Sequence, residues 1–324
     1  MSDYYTGIKI TEEYLNFRVG NSDLTEQHSL RINLPKDINT NKLINLLGEG
    51  FYALLKKNSI NNDNINAVAL SVPATINYKK GYINCSSVIP LLNGIDIKEN
   101  LTKSLKKFVV VETEANIRAF TEYKFGQASN YKNFIFIILD KKISAGIYVN
   151  GGLVRNKEGA TSELGHIIIE PHGRRCSCSN RGCLEAYASS NAIIRYYRKY
   201  KRSHSSLDIT IDDIYKLALK SDSAALDAFY RMGNYLGIAL TTIINVTSPE
   251  AIIFAGEISK ALKFFLPAVE STLRARAYSL PLNGIVYKKS TLDEDDELKG
   301  LLYFARDSYN NAYDLKIYDD IFVL

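Results

Sequence analysis

The sequence predicts an α/β fold of two lobes with a cleft between them. Two observations carry this. Strands and helices alternate in the order strand, strand, helix, strand, helix, strand, and the pattern begins again near Tyr131. No Pro-, Gly- or Ser-rich linker separates the two runs, and no strict repeat or low-complexity segment occurs.

YTGIKI and YLNFRV read as two short strands. NKLINLLGEGFYALLKK places apolar residues at helical spacing. NAVALSV is a short buried strand closed by Pro73. IKENLTKSLKK is an amphipathic helix, FVVVE a strand, and ANIRAFTEYKFG a helix ending at Gly126. NFIFIIL and SAGIYV open the second run. CLEAYASSNAIIRYYRKY is expected to be one helix. TIDDIYKLALKS is another, with Thr210 as N-cap and Asp212 and Asp213 in the first turn, where the helix dipole favours negative charge. A long helix, SAALDAFYRMGNYLGIALTTIINVT, precedes the strand PEAIIFAG. ISKALKFFLPAVESTLRARA reads as a helix interrupted near Pro267, GIVYKK as a strand, and DELKGLLYFARDSY as the last long helix. The tail LKIYDDIFVL is apolar enough to dock.

Composition narrows the function. The 324 residues hold the apolar and charged fractions of a globular protein. No apolar run reaches the roughly 18–20 residues that span a bilayer, and the N-terminus lacks the pattern of a signal peptide. A cytoplasmic protein is expected, with no membrane partner. The net charge of +5 does not imply nucleic acid. The densest basic patch, RYYRKYKR at residues 195–202, reads as a solvated helix face with tyrosines turned inward.

Three of the four cysteines lie within eight residues, in ELGHIIIEPHGRRCSCSNRGCLE. This spacing suits one metal site in a reducing compartment, not a disulfide framework. Cys176, Cys178 and Cys183 offer three thiolates for a tetrahedral zinc ion, and His166 and His172 compete to be the fourth ligand. Gly173 and Gly182 suit tight turning around an ion. With four protein ligands the zinc is structural. Cys85 is left as a small core residue. Glu163 and Glu185 bracket the cluster, and carboxylates accept hydrogen bonds from vicinal hydroxyls. Glu185 lies near a helix N-terminus, and ligation of the loop would pre-position it.

SELGH followed by CSCSNRGCLEAYAS resembles the signature of the ROK family, which takes in repressors, open reading frames and sugar kinases. Flanking segments resemble the family over essentially the whole chain. The resemblance implies a two-lobed actin-like ATPase (ribonuclease H-like) fold. Its small lobe would be residues 1–115 with the C-terminal helix near 295–312, and its large lobe residues 116–294 with the zinc loop. It implies zinc on His166, Cys176, Cys178 and Cys183, leaving His172 outside. It implies sugar hydroxyls on Glu163, His166 and Glu185, with Thr113 and Glu114 also facing the sugar. Homodimers or homotetramers are common in the family.

The resemblance weakens at the kinase parts. The family's hairpin D-x-G-x-T corresponds to GIKITEEYL, with Lys9 in place of the aspartate and Thr11, Glu12 and Glu13 in place of small residues. Glycines there let backbone N–H groups approach phosphate, whereas two glutamates repel it. Lys9 can pair with phosphate but cannot organise Mg²⁺. The second phosphate motif, close to G-T-G-x-G-A-G, is DKKISAG here, with Asp140, Lys141 and Lys142 in the turn and Ala145 and Gly146 surviving. The catalytic E-N-D-A-N is ETEAN. Glu114 stands where the general base does, and its extra methylene moves the oxygens by about an ångström, which can cost roughly a hundredfold. PEAIIFAGEIS keeps the adenine-side Gly256, while STLDEDDELKGLL puts Asp293, Asp296 and Glu297 at small-residue positions.

The resulting expectation is a sugar-binding ROK protein, a transcriptional regulator or its effector-binding core, without efficient kinase activity. DNA contact would come only through a helix-turn-helix not present in this chain. The alternatives are a divergent ATP-dependent hexose or N-acetylhexosamine kinase, with Glu114 as base and Gly146 and Gly256 on the Mg-ATP side, and an interaction protein with a vestigial pocket.

Overall fold

The computed structural model describes residues 3–155, 163–201 and 209–319, with side chains withheld at Pro281 and residues 312–319. In chain order its elements are β1 (Tyr4–Ile10), β2 (Tyr14–Asn21), β3 (Gln27–Asn33), α1 (Thr40–Lys57), β4 (Ile65–Val72), β5 (Thr75–Asn77), β6 (Tyr82–Cys85), β7 (Ile95–Asp96), α2 (Ile97–Leu105), β8 (Phe108–Thr113) and α3 (Glu114–Phe125). They continue with β9 (Phe134–Leu139), β10 (Ile143–Val149), β11 (Gly152–Leu153), α4 (Glu185–Ala188), α5 (Ser190–Lys201), α6 (Ile211–Leu219), α7 (Ser223–Thr247), β12 (Ala251–Ala255), α8 (Leu262–Arg276), α9 (Ser279–Leu282), β13 (Val286–Lys289) and α10 (Glu294–Asp319).

The chain forms two compact units. The described parts of Met1–Lys124, Arg155–Thr161 and Leu292–Leu324 make one, and those of Phe125–Val154 and Ser162–Thr291 the other. The first is built on the sheet β3-β2-β1-β4-β8 and the second on β11-β10-β9-β12-β13. In both, an antiparallel three-strand meander continues into two parallel strands. The second α/β run read from the sequence is therefore a topological repeat of the first. The division falls after Lys124, later than the sequence boundary at residue 115. The reason is packing: α3 lies tightly on α10, where a Cβ at Gly300 would meet Thr121 Oγ1 at 1.9 Å, and Phe120 stacks edge-on against Phe304.

In the first unit, one sheet face packs Ile8, Phe17, Val68 and Leu70 against Phe51 of α1 and Leu101 of α2. The opposite face packs Tyr5, Ala67, Ala69 and Val110 against Leu298 and Leu301 of α10. The second core joins Ile135, Ile137, Ile252 and Phe254 to Met232, Leu236 and Leu240 of α7 and Phe265 of α8. Thr210 caps α6 as expected, in a reciprocal capping box with Asp213.

Three expectations need correction. CLEAYASSNAIIRYYRKY is not one helix: Ser189, with φ −79° and ψ 168°, is extended and separates α4 from α5. Pro267 does not interrupt its helix: it sits inside α8, which continues to Arg276. The preceding segment Glu257–Ala261 is 3₁₀. Cys85 is exposed, not in the core, because the β5–β6 register shifts between Thr75 and Ile76 at the strand end. The edge strand β3 and the small sheet β5-β6-β7 were not read at all. The end of the apolar tail (residues 320–324) and Arg202 of the basic patch lie outside the described residues.

Candidate functional site

The cysteine loop forms a metal-ready tetrad. His166 ends a 3₁₀ turn, Leu164–His166, whose His166 N donates to Glu163 O at 3.0 Å. His166 Nδ1 lies 3.7 Å from Cys176 Sγ, and Cys178 Sγ lies 3.7 Å from Cys183 Sγ. The four ligand atoms all lie within 4.8 Å of one another. Zinc–sulfur bonds of about 2.3 Å in a tetrahedron put two thiolates about 3.8 Å apart, so the spacing fits such an ion. His166 is the fourth member of this cluster, and His172 is not among its members.

Burial, then hydrogen bonds with Cys178 and Cys176, push the Cys183 thiol up to about 12. The loop is closed by Cys176 N donating to Asn180 O at 2.8 Å and Gly182 N to Arg174 O at 2.8 Å. Gly182 has φ +77°, and a Cβ there would lie 1.8 Å from Glu170 O, so only glycine fits. Arg174 anchors the loop to α4 and α5. Its guanidinium lies against the rings of Tyr187 and Tyr196 and donates to Tyr196 Oη and Ala186 O.

Glu185 starts α4 and is almost wholly buried. Its Oε1 accepts from Ser177 Oγ at 2.9 Å and Lys142 Nζ at 3.3 Å, and its Oε2 from Ile143 N at 3.3 Å. Ser177 sits between the ligands Cys176 and Cys178, so the loop brings Glu185 beside the tetrad. Glu163 is exposed.

Thr113 and Glu114 belong to the first unit. Thr113 is buried and caps α3, its Oγ1 accepting from Asn116 N at 3.3 Å. Glu112, fully buried, accepts from Thr113 N at 2.9 Å and Asn116 Nδ2 at 3.0 Å and pairs with Arg155 at 2.6 Å. Burial pushes Glu112 up and Arg155 opposes it. Glu114, about one-third exposed, lies 3.7 Å from Lys9 Nζ and 3.6 Å from Arg118 Nη1, so its charge is balanced within the chain.

The segments that resemble the family's phosphate motifs are also internally bonded. Lys9 does not offer itself to an external anion: it is nearly buried and donates to Glu297 Oε2 at 2.7 Å. Burial pulls Lys9 down, but Glu297 and Glu114 more than offset it and its pKa is raised. Thr11 Oγ1 accepts from Glu13 N and Tyr14 N, so the N–H groups of that hairpin turn are used. Acidic residues crowd the start of α10. Arg18 pairs with Asp295, Arg31 with Glu294 at 2.7 Å, and Asp293 and Asp296 cap the helix reciprocally.

In the second unit, Asp140 Oδ1 accepts from Glu257 N at the start of the 3₁₀ segment. Gly256 has φ +86°, and a Cβ there would meet Leu139 O at 2.5 Å and Asp140 Oδ1 at 2.7 Å. The space that this glycine leaves is taken by Asp140. Gly146 lies inside β10 opposite Phe136, away from the turn. The sequence marked Lys9, Asp140 and Glu297 as departures from the family motifs but not that Lys9 bonds Glu297 or that Asp140 bonds the Glu257 N–H. Glu297 lies 288 positions from Lys9 and Glu257 lies 117 from Asp140, and no local pattern signals such pairs.

These geometries define a sugar-kinase-like fold carrying a Cys/His metal cluster. The chain belongs to the ROK family, whose model matches residues 5–308. The xylose repressor of Bacillus subtilis (strain 168) is 32% identical over 215 residues, 66% of this chain and 55% of that protein. The glucokinase of Halalkalibacterium halodurans is 29% identical over 255 residues, 75% of this chain and 77% of that enzyme. A solved ROK family transcriptional regulator, a homologue of the E. coli MLC protein, superposes with a TM-score of 0.83 at 23% identity, covering 94% of this chain and 78% of that one. The chain thus spans about half the length of the repressors it matches. The fold is the actin-like ATPase fold of the ROK sugar kinases. Among the described residues no helix is long and apolar enough to cross a membrane.

Proposed function

We propose that this chain is the effector-binding core of a ROK regulator, binding a monosaccharide or amino sugar without efficient phosphoryl transfer. One observation carries the reading. The groups at the phosphate motifs are already bonded to the chain itself: Lys9 to Glu297, the Glu13 and Tyr14 N–H groups to Thr11, and the Glu257 N–H to Asp140. A nucleotide would have to displace two carboxylates and a hydroxyl before gaining any contact, and the carboxylates repel its phosphates. The ligand side keeps its carboxylates. In this reading Glu163, His166, Glu185, Thr113 and Glu114 take sugar hydroxyls. Zinc on His166, Cys176, Cys178 and Cys183 is structural, and the protein is a homodimer or homotetramer.

The competing reading is a divergent sugar kinase using Mg-ATP, with Glu114 as general base and Gly146 and Gly256 on the nucleotide side. It is favoured by the match along most of a glucokinase and by the partial exposure of Glu114. Thermal unfolding against glucose, xylose, allose, N-acetylglucosamine and N-acetylmannosamine, each with and without Mg-ATP, separates the two. A sugar at a hundred times its Kd adds about 2.7 kcal/mol of stability. The regulator reading predicts a shift with sugar and none with nucleotide. Shifts with both would support the kinase, and no shift with any sugar would leave a vestigial pocket.

A further inference from the structure

Lys142 stands in a turn that the family uses for phosphate, yet it points its bonds elsewhere. Its ammonium donates to Ser177 Oγ at 2.9 Å and to Glu185 Oε1 at 3.3 Å. Ser177 Oγ donates to the same Oε1 at 2.9 Å. Two donors fill the two lone-pair positions of that oxygen. Among the described residues, Oε2 accepts only the long bond from Ile143 N at 3.3 Å and retains acceptor capacity. A carboxylate this buried would be expensive without a cation, and Lys142 is the cation paired with it.

The same turn is fixed at both ends. Asp140 N donates to Lys142 O at 3.2 Å, Asp140 O accepts from Ser190 N at 3.1 Å, and Asp140 Oδ1 takes the Glu257 N–H. The Lys142 side chain therefore reaches Glu185 from a rigid base.

We propose that Lys142 is a positioning residue for the ligand carboxylate: by occupying Glu185 Oε1 together with Ser177, it leaves Oε2 to accept a single hydroxyl of a sugar. This rests on the sugar-binding reading. Glu185 then takes one ligand hydroxyl instead of bridging a vicinal pair. The turn that binds phosphate in a kinase has two other uses here: Asp140 covers Gly256, and Lys142 orients Glu185.

The test is isothermal titration of glucose, xylose and N-acetylglucosamine into the metal-loaded wild type and the variants Lys142→Met and Lys142→Arg. Bound metal and unfolding temperature are measured on each. The expected result is a loss of about tenfold or more in affinity for Lys142→Met, with recovery to within about threefold in Lys142→Arg, which retains a charged donor. Metal content stays at the wild-type value in both, while the unfolding temperature falls in Lys142→Met, where Glu185 loses its buried counter-ion, and holds in Lys142→Arg. Wild-type affinity in Lys142→Met would overturn the inference and leave the sugar reading standing. So would equal losses in both variants accompanied by loss of metal, since the role would then be structural. Absence of binding by the wild type would overturn both.

Discussion

Lys9 shows how one substitution reorganises a site. A lysine in place of a motif aspartate reads in the sequence as a cation waiting for phosphate. In the fold it is the counter-ion of Glu297, and the two side chains are 11% and 4% exposed. Removing one partner of such a pair leaves a buried charge, which costs about 3–5 kcal/mol. Lys9→Met should lower the unfolding free energy by that order in urea denaturation. Lys9→Met combined with Glu297→Leu should recover most of it, since apolar replacement of both partners is near neutral. The clustering of Cys176, Cys178 and Cys183 was legible because their spacing is short, and His166 was added to them by resemblance. The partners of Lys9 and Asp140 were not legible, because strand order and helix return bring them together across the chain.

The metal loop is the element on which the sugar reading depends. It has little regular structure, with single bridges at Ile168–Cys183 and Arg175–Arg181. The Arg174–Tyr187–Tyr196 contacts hold it, and an ion on the His166, Cys176, Cys178 and Cys183 cluster would add to them. One tetrahedral zinc per chain is expected by metal analysis. A strong chelator should lower the unfolding temperature and abolish sugar binding, because Ser177 and Glu185 lose their frame. Retention of full sugar affinity in metal-free protein would remove the loop from the account. Among the regular elements, those with strong periodicity or long apolar runs were legible. The edge strand β3, with every second residue exposed, was not: its polar positions resemble a loop until β2 pairs with it. The α4–α5 break was missed because helical spacing runs through Ser189, and only tertiary packing sets it.

At the scale of the molecule, two units of matching topology carry different amounts of their ancestry. Both retain the sheet order of the family fold, and the second retains the metal tetrad. The segments that resemble the family's phosphate motifs bond within the chain in both, through Lys9, Thr11 and the acidic start of α10 in one and through Asp140 in the other. The central claim is that such a chain binds sugar but does not phosphorylate it. The most direct measurement is ADP release from Mg-ATP by the metal-loaded protein, saturated with each sugar that stabilises it. The account predicts a rate indistinguishable from that without sugar. Sugar-dependent ADP release that is lost in Glu114→Gln would contradict it and establish a kinase.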